Sequence, residues 1–337
     1  MKTAAAQSVL AWLEQRWYGG VQPEWPLRCL ARLYAAEAAR RRRRFLANRA
    51  SMPRVSLPTL VVGNLTIGGA GKTPLTLALI EALRSRGWKP GVVSRGYGGS
   101  ATGPERVLAG SDPARVGDEP CLIAARSGAP VAIARRRVEA ARLLEASHEV
   151  DVLIADDGLQ HYALARDLEV LVIDGRRRFG NGAPLPAGPL RDAVARAESC
   201  DFRVVNGGEA GDGEVAMRLE QRHVVPLAGG TAQPLSGFEG QRVHAVAGIG
   251  DPSRFFAALR GHGIEVVPHP FPDHHAFRAG DFAFKERLPI LMTEKDAVKC
   301  RRLALPEACV VPVDAILPAS FFADIDARLH ALPRDYR

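Results

Sequence analysis

The stretch "VVGNLTIGGAGKTPLT", beginning at Val61, constrains the fold more than any other part of the chain. A β-branched run passes into a glycine-rich turn and then into a helical pattern, the context that a phosphate-binding loop requires. The consensus for such a loop is Gly, four residues, then Gly-Lys-Ser/Thr. Gly71-Lys72-Thr73 is in register, but Thr66 occupies the position of the first glycine. Gly68, Gly69 and Gly71, with the small Ala70 between them, let the backbone curl and aim successive N–H groups at phosphate oxygens. The helix start adds its partial positive charge. Lys72 would then reach the β- and γ-phosphates of a nucleotide, and the Thr73 hydroxyl would ligate Mg²⁺. Thr66 moves the flexible part of the loop inward without removing the anion cradle. A plain strand–turn–helix connection accounts for the glycines but not for the Gly-Lys-Thr triplet.

A nucleotide loop needs a carboxylate at the end of a neighbouring apolar strand to hold the metal, directly or through water. "VDVLIADDG" supplies Asp156 and Asp157 after such a run. A strand-ending Asp is commonly a turn residue. Two adjacent acids point differently, so one can serve the metal while the other orients a ligand.

Around these motifs, short β-branched runs alternate from Pro58 onward with Ala/Leu/Arg-rich helical stretches, including helices over 72–84 and 137–145. Continuous apolar strands separated by helices predict a parallel sheet covered on both faces. The fold class expected is therefore α/β: a P-loop NTPase-like parallel sheet, a second smaller α/β lobe, and an N-terminal amphipathic helix. The divisions expected are a membrane-associating segment 1–50, a nucleotide-binding domain 51–200, a linker region 201–240 and a second lobe 241–337. Two such lobes imply a ligand cleft between them. The five cysteines are scattered and never form a Cys-x-x-Cys pair, which speaks for a reducing compartment and against a disulfide framework.

The net charge of +8 is unevenly spread. Residues 1–50 hold ten cationic side chains (Lys2, Arg16, Arg28, Arg32, Arg40 to Arg44, Arg49) against Glu14, Glu24 and Glu37, a balance of +7. Three of the four tryptophans, Trp12, Trp17 and Trp25, lie there too. No stretch there reaches the roughly 18 apolar residues of a spanning helix, and Glu14 and Arg16 interrupt any signal-peptide core. In "PLRCLARLYAAEAARRRRRF", Leu27, Leu30, Ala31 and Tyr34 recur at helical spacing after Pro26. Apolar stripe, aromatics and Arg run together describe a helix lying in an anionic membrane surface through residues 1–45. A docked helix with a solvated Arg tail is the alternative. Nucleic acid is not an expected partner, because the rest of the chain carries little net charge, and no obligate protein partner is inferred.

The pieces "VGNLTIGGAGKTP", "SRGYGG", "GDEP", "DDGLQH", "FGNGAPLPAGPLR", "FPDHHAF" and "TEKDAVK" follow one another from about residue 58 to 300. In kind and order they resemble the tetraacyldisaccharide 4′-kinases, the lipid A 4′-kinases of Gram-negative bacteria. Thr66 is no departure from that family, whose loop has the same Gly-Asn-x-Thr-x-Gly-Gly form. The resemblance implies ATP- and Mg²⁺-dependent phosphorylation of the 4′-hydroxyl of an acylated glucosamine disaccharide 1-phosphate, giving lipid IVA at the cytoplasmic face of the inner membrane. It also implies Asp118 in "GDEP" and His274 in "FPDHHAF" as an acid–base pair, one from each lobe. Such a pair makes chemical sense, since the carboxylate fixes the imidazole tautomer and raises its basicity. Taken alone, His274-His275 reads equally as a helix-start pair or a metal site. Arg95 is a candidate to meet a phosphate or pair with an acid, and Arg176, Arg177, Arg178 and Arg191 flank a Gly/Pro loop suited to an anionic sugar. Gln160 and His161 are placed to position the metal-side loop, and Glu294 and Lys295 follow an apolar run at a sheet end. A membrane-recruited P-loop ATPase switch and a kinase of a soluble acceptor are the rivals. The first needs no acid–base pair in the second lobe, and the second has no use for an interfacial helix.

Overall fold

The chain is described by a computed structural model covering residues 2–48 and 52–333. Arg49, counted among the basic residues above, lies outside the described residues. Two long helices come first, α1 (Lys2–Tyr18) and α2 (Trp25–Ala47). The run Thr59–Gly63 forms β1, buried at every position, and α3 (Lys72–Arg84) follows the glycine-rich turn. The chain continues through β2 (Pro90–Ser94), β3 (Glu105–Val107), α4 (Pro113–Val116), α5 (Asp118–Ser127), β4 (Val131–Ile133) and α6 (Arg137–Glu145). Then come β5 (Val152–Ala155), β6 (Leu168–Asp174), β7 (Phe202–Asn206) and β8 (Val215–Glu220).

These strands join one sheet in the order β8-β7-β6-β1-β5-β2-β4-β3, parallel except for β3 at its edge. β1, β2 and β5 are buried throughout, as expected of strands covered on both faces. Because β8 to β4 run parallel, the turns after β1, β2, β4, β5 and β6 emerge at one edge of the sheet. That edge is where ligands of open α/β sheets bind.

A second sheet is built from β9 (His223–Pro226), β10 (Gln233–Pro234), β11 (Arg242–Ala247), β12 (Glu265–Pro270), β13 (Ile290–Thr293) and β14 (Ala308–Val311). Helix α7 (Pro252–Gly261) lies between β11 and β12, and α8 (Glu294–Cys300) leaves directly from β13. Phe255, Phe256 and Leu259 of α7 close a separate core against β11.

The expected boundaries differ from this arrangement in two places. Residues 201–240 are not a linker, since β7 and β8 complete the first sheet and β9 and β10 begin the second. The C-terminal stretch does not stay in the second lobe either. There, β15 (Asp314–Ile316) pairs antiparallel with β8, and α9 (Ala319–His330) buries Phe321, Ile325 and Leu329 in the core that also holds Leu75 and Leu79 of α3. The physical reason is that the outer face of α3 is apolar and needs a cover. The chain therefore crosses between the sheets twice, after β8 and before β15.

The N-terminal helices dock by one face and expose another. On α2, Ala31 and Phe45 are buried, and Phe45 stacks on Tyr162 with ring centroids 4.8 Å apart. Trp17 is buried and its indole Nε1 donates to the Pro186 carbonyl at 3.0 Å. The expected stripe of Leu27, Leu30, Ala31 and Tyr34 is thus split, Ala31 facing the body and Leu30 facing out. Trp12, Val21, Trp25, Leu30 and Leu33 are exposed, Trp25 and Leu33 at 70% each. No described helix is long and apolar enough to cross a membrane.

Candidate active site between the two sheets

The loop between β1 and α3 is held from inside by Asn64, which is fully buried. Its amide Nδ2 donates to the carbonyls of Thr66 (2.8 Å) and Gly68 (3.3 Å), closing the turn on itself. Its Oδ1 accepts from Lys72 Nζ at 3.2 Å and from Arg191 Nη2. Gly68 and Gly71 have φ of 107° and 97°, in the left-handed region that favours glycine. A Cβ on Gly71 would lie 2.6 Å from Asn206 Nδ2, so the start of α3 tolerates no side chain there. A Cβ on Gly68 or Gly69 would meet no atom within 4 Å. The tight side of the turn faces protein and the open side faces the cleft, which is the shape of an anion cradle.

Asp156 and Asp157 sit at the end of β5, beside this loop, with unlike surroundings. Asp156 is buried and its Oδ1 lies 3.5 Å from the Thr76 hydroxyl. Its Oδ2 is a buried oxygen with no hydrogen-bond partner. Burial raises the Asp156 carboxyl above its usual range, and the charges of Glu119 and Asp157 add to this. Asp157 has φ 47° and turns the other way. Arg191 grips both its oxygens, Nη2 to Oδ1 at 2.8 Å and Nη1 to Oδ2 at 3.1 Å, and Lys72 Nζ lies 3.7 Å from Oδ1. Burial opposes ionisation of Asp157, but Lys72 and Arg191 outweigh it and hold the carboxyl below the usual range.

The residues present fit a magnesium ion. The orphaned oxygen of Asp156 is the kind of acceptor that a hard cation satisfies, and Thr73 is the second residue of α3, directly after Lys72. Among the described residues no group of three His, Cys, Asp or Glu gathers as a metal cage. A cation here would therefore rely on one or two carboxylates, Thr73 and the phosphates of a nucleotide, as Mg²⁺ commonly does.

Behind the aspartates, the first residue of α6, Arg137, is buried and donates Nη2 to the carbonyls of Asp156 (3.1 Å) and Asp157 (2.8 Å). Burial and the charge of Arg137 push His161 down to about 3, so its neutral Nε2 accepts the Arg137 backbone N–H at 3.3 Å. Gln160 Nε2 donates to the Asn64 carbonyl at 3.0 Å, tying the turn after β5 to the loop after β1. Arg191 and Tyr34 connect the site outward, because the Tyr34 hydroxyl donates to the Arg191 carbonyl at 3.2 Å.

The second sheet contributes His274, from the turn after β12. Its Nδ1 is 3.0 Å from Asp118 Oδ2 across the lobes, and its φ of 59° marks a constrained turn. Asp118 starts α5 and is buried. Gly117 before it has φ 94°, and a Cβ there would strike the Tyr97 carbonyl at 2.7 Å. The "GYGG" turn thus abuts the start of α5, and the Tyr97 ring centroid lies 5.7 Å from that of His274. The charge of Glu119, next to Asp118, is felt at Asp156.

Other expected candidates have different partners. His275 pairs with Asp281 at 3.0 Å rather than with His274's carboxylate. Glu294 is held by Arg126 at 2.7 Å, and Arg126 also reaches the Val313 carbonyl, so this cluster ties α5 and α8 to the crossing before β15. Arg177 pairs with Asp251 and Arg178 with Glu214, while Arg95 and Arg176 are exposed. Sequence reasoning missed Asn64 and Arg137. The signal for Asn64 was a polar residue directly after a fully apolar strand; Arg137 gave none, standing last in an Arg-Arg-Arg run.

A parallel sheet with a glycine-rich turn at its switch edge, a strand-end carboxylate pair and a histidine brought from the second lobe onto Asp118 of the first is the arrangement of a P-loop phosphotransferase. The family described as tetraacyldisaccharide-1-P 4′-kinase matches residues 23–330. The chain belongs to this family. It is 52% identical over 327 residues to the tetraacyldisaccharide 4′-kinase of Stenotrophomonas maltophilia, covering 94% of this chain and 96% of that one. It is also 52% identical over 330 residues to that of Xanthomonas euvesicatoria pv. vesicatoria, covering 94% and 95%. Among solved structures, LpxK from Aquifex aeolicus, crystallised with ATP, has the same fold with a TM-score of 0.75 at 24% identity, over 89% of this chain and 97% of that one.

Proposed function

We propose that this chain carries out its family's reaction with Lys72, Thr73 and the Asp156/Asp157 pair on the donor side and Asp118 with His274 on the acceptor side. The protein is an ATP-dependent kinase that phosphorylates the 4′-hydroxyl of a tetraacylated glucosamine disaccharide 1-phosphate, in lipid A synthesis. The observation that carries the residue assignment is the 3.0 Å contact of His274 Nδ1 with Asp118 Oδ2. It joins the two lobes.

The chemistry is positioning and charge neutralisation. Backbone N–H groups of 68–71 and the start of α3 take the β- and γ-phosphates, and Lys72 follows the charge that shifts onto the β-phosphate as the bond to it breaks. Lys72 rests now between Asn64 and Asp157, so it must exchange part of this pairing for phosphate oxygens. Thr73 and one of the two aspartates would hold Mg²⁺, whose charge would neutralise phosphate oxygens. Arg191 keeps Asp157 ionised and aimed, and Arg137 fixes the backbone that presents both acids. On the acceptor side Asp118 accepts the Nδ1–H of His274, leaving Nε2 unprotonated. The 4′-oxygen attacks the γ-phosphorus, its proton passes to Nε2, and ADP departs.

The lobe built on the first sheet would hold the donor, and the second would deliver His274. The exposed apolar set of α1 and α2, with the run Arg40 to Arg44, is suited to an anionic bilayer surface and supports a place at the inner face of the inner membrane. A lipid acceptor gives that surface its purpose. Helix α1 also holds the 176–191 loop, through Trp17 on Pro186 and the Trp17 carbonyl on Asn181, and that loop reaches the P-loop by Ile67 N–H to Pro189.

The base assignment is tested by a double-mutant comparison. Asp118→Asn and His274→Ala should each lower kcat far more than they raise the KM for ATP. The double variant should cost much less than the product of the singles, because residues acting as one unit are non-additive. His275→Ala, whose partner is Asp281, should lose little. Strictly multiplicative losses, or a deeper defect at His275, would remove the pair from the mechanism.

A further inference from the structure

Helix α8 is fixed at its start by its own side chains. Asp296, fully buried, accepts the Thr293 hydroxyl at 2.6 Å and the Gly248 N–H at 2.7 Å through Oδ2. On this rigid turn, Lys295 and Lys299 stand four residues apart and share one face. Each reaches a different carboxylate beside the His274 ring. Lys299 Nζ lies 3.8 Å from Asp118 Oδ2, the oxygen bonded to Nδ1. Lys295 Nζ donates to Asp273 Oδ1 at 3.1 Å, and the other Asp273 oxygen lies 3.8 Å from His274 Nε2. Both lysine side chains are withdrawn from water, 17% exposed for Lys295 and 8% for Lys299.

An imidazole with a carboxylate at each nitrogen is driven toward the imidazolium, because nearby negative charge favours the protonated ring. An imidazolium cannot accept a proton from the 4′-hydroxyl. The neighbouring charges are few. Asp118 and Glu119 come from α5, Asp273 from the turn itself, and Lys295, Asp296 and Lys299 from α8. Tyr97 faces the ring as an aromatic neighbour. Asp296 balances Lys299 at 2.9 Å, and Glu119 approaches Lys295 at 3.6 Å. Burial works against the charge on Lys295, yet Glu119 and Asp273 outweigh it and hold the ammonium above its usual range.

We infer that Lys295 and Lys299 are positioning residues that limit the proton affinity of His274, each partly offsetting the carboxylate at one of its ring nitrogens. This rests on the reading of Asp118 and His274 as the base, and adds the groups that set the pH range in which that base works. Removing either ammonium leaves a carboxylate uncompensated, raises the ring's proton affinity and moves the acidic limb of the rate profile to higher pH. The partners of the two lysines are Glu119, Asp273, Asp118 and Asp296, none of them in the P-loop, so the KM for ATP should change little.

The test uses the full-length protein in detergent with ATP and the acylated disaccharide. In Lys295→Met and Lys299→Met, the acidic limb of kcat should move up by on the order of one pH unit, with Lys→Arg variants near wild type and the KM for ATP little changed. The His274 ring, followed by NMR titration without substrate, should show the same upward displacement. Lys299 is deeply buried, so Lys295→Met, nearer the rim, carries the test alone if the Lys299 variant does not fold. An unchanged or lowered His274 titration in Lys295→Met overturns the inference. A wild-type acidic limb persisting in His274→Ala instead overturns the base assignment, while the ring titration still decides what the lysines do.

Discussion

Asn64→Ala is the substitution that most directly probes how the P-loop is held. The side chain is fully buried and takes part in four contacts: to the Thr66 and Gly68 carbonyls, and to the cations of Lys72 and Arg191. A neutral hydrogen bond contributes about 1 kcal/mol net and one to a charged group about 1.5–3 kcal/mol, so the two of each kind sum to about 5–8 kcal/mol. That is an upper bound, because Lys72 and Arg191 keep 14% and 22% of their side chains exposed and water can replace part of the loss. The expected cost is therefore about 2–3 kcal/mol of stability, read by urea unfolding at fixed pH. Catalysis should suffer further, because the loop carbonyls relax and Lys72 loses its fixed starting point. A displacement of about 1 Å commonly costs on the order of 10²-fold, and kcat/KM for ATP should fall by about that factor. Asn64→Asp keeps an acceptor for the two cations but removes the donor to the carbonyls, so it should not restore the rate. A kcat/KM within about threefold of wild type in Asn64→Ala, in a protein unfolding at the wild-type urea concentration, would refute the reasoning.

Lys72→Ala should lower turnover by several orders of magnitude while the thermal unfolding profile stays close to wild type, since its pairing with Asp157 is shared with Arg191. Near-normal turnover would mean that the cradle does not hold the donor. Deleting residues 1–45 should weaken partitioning onto anionic vesicles, and added salt should narrow the difference, because each exposed arginine near the surface contributes about 1 kcal/mol that salt screens. Equal vesicle binding by the two forms would leave α1 and α2 a purely structural role.

Where the physics is local, sequence was enough. The helix over Lys72–Arg84 and the buried strand before it follow from periodicity and from the glycines, and the structure has them at those residues. The pair of acids after β5 was legible because a fully apolar run ends in two charges. The contact of Asp118 with His274 joins positions 156 residues apart, and no local pattern reports such a distance; it entered through family resemblance. Arg137 was illegible because nothing in an Arg-Arg-Arg run says which member is buried. Only the crossing of β5 and α6 turns its guanidinium toward the Asp156 and Asp157 carbonyls. The return of β15 and α9 to the first sheet was hidden for the same reason, since an amphipathic stripe on α9 does not name the helix it covers. On α2, periodicity found the helix but not its orientation: two apolar faces exist, and docking by Ala31 and Phe45 decides which one meets solvent.

The central claim is acceptor-dependent phosphoryl transfer, and mass spectrometry of the reacted lipid with parallel ADP measurement tests it most directly. With ATP, Mg²⁺ and tetraacyldisaccharide 1-phosphate, the wild-type protein should form one phosphorylated lipid for each ADP released. An acceptor blocked at the 4′-hydroxyl should give neither product. ADP release that is indifferent to the acceptor, with no phosphorylated lipid, would contradict the account and leave a membrane-recruited ATPase in its place.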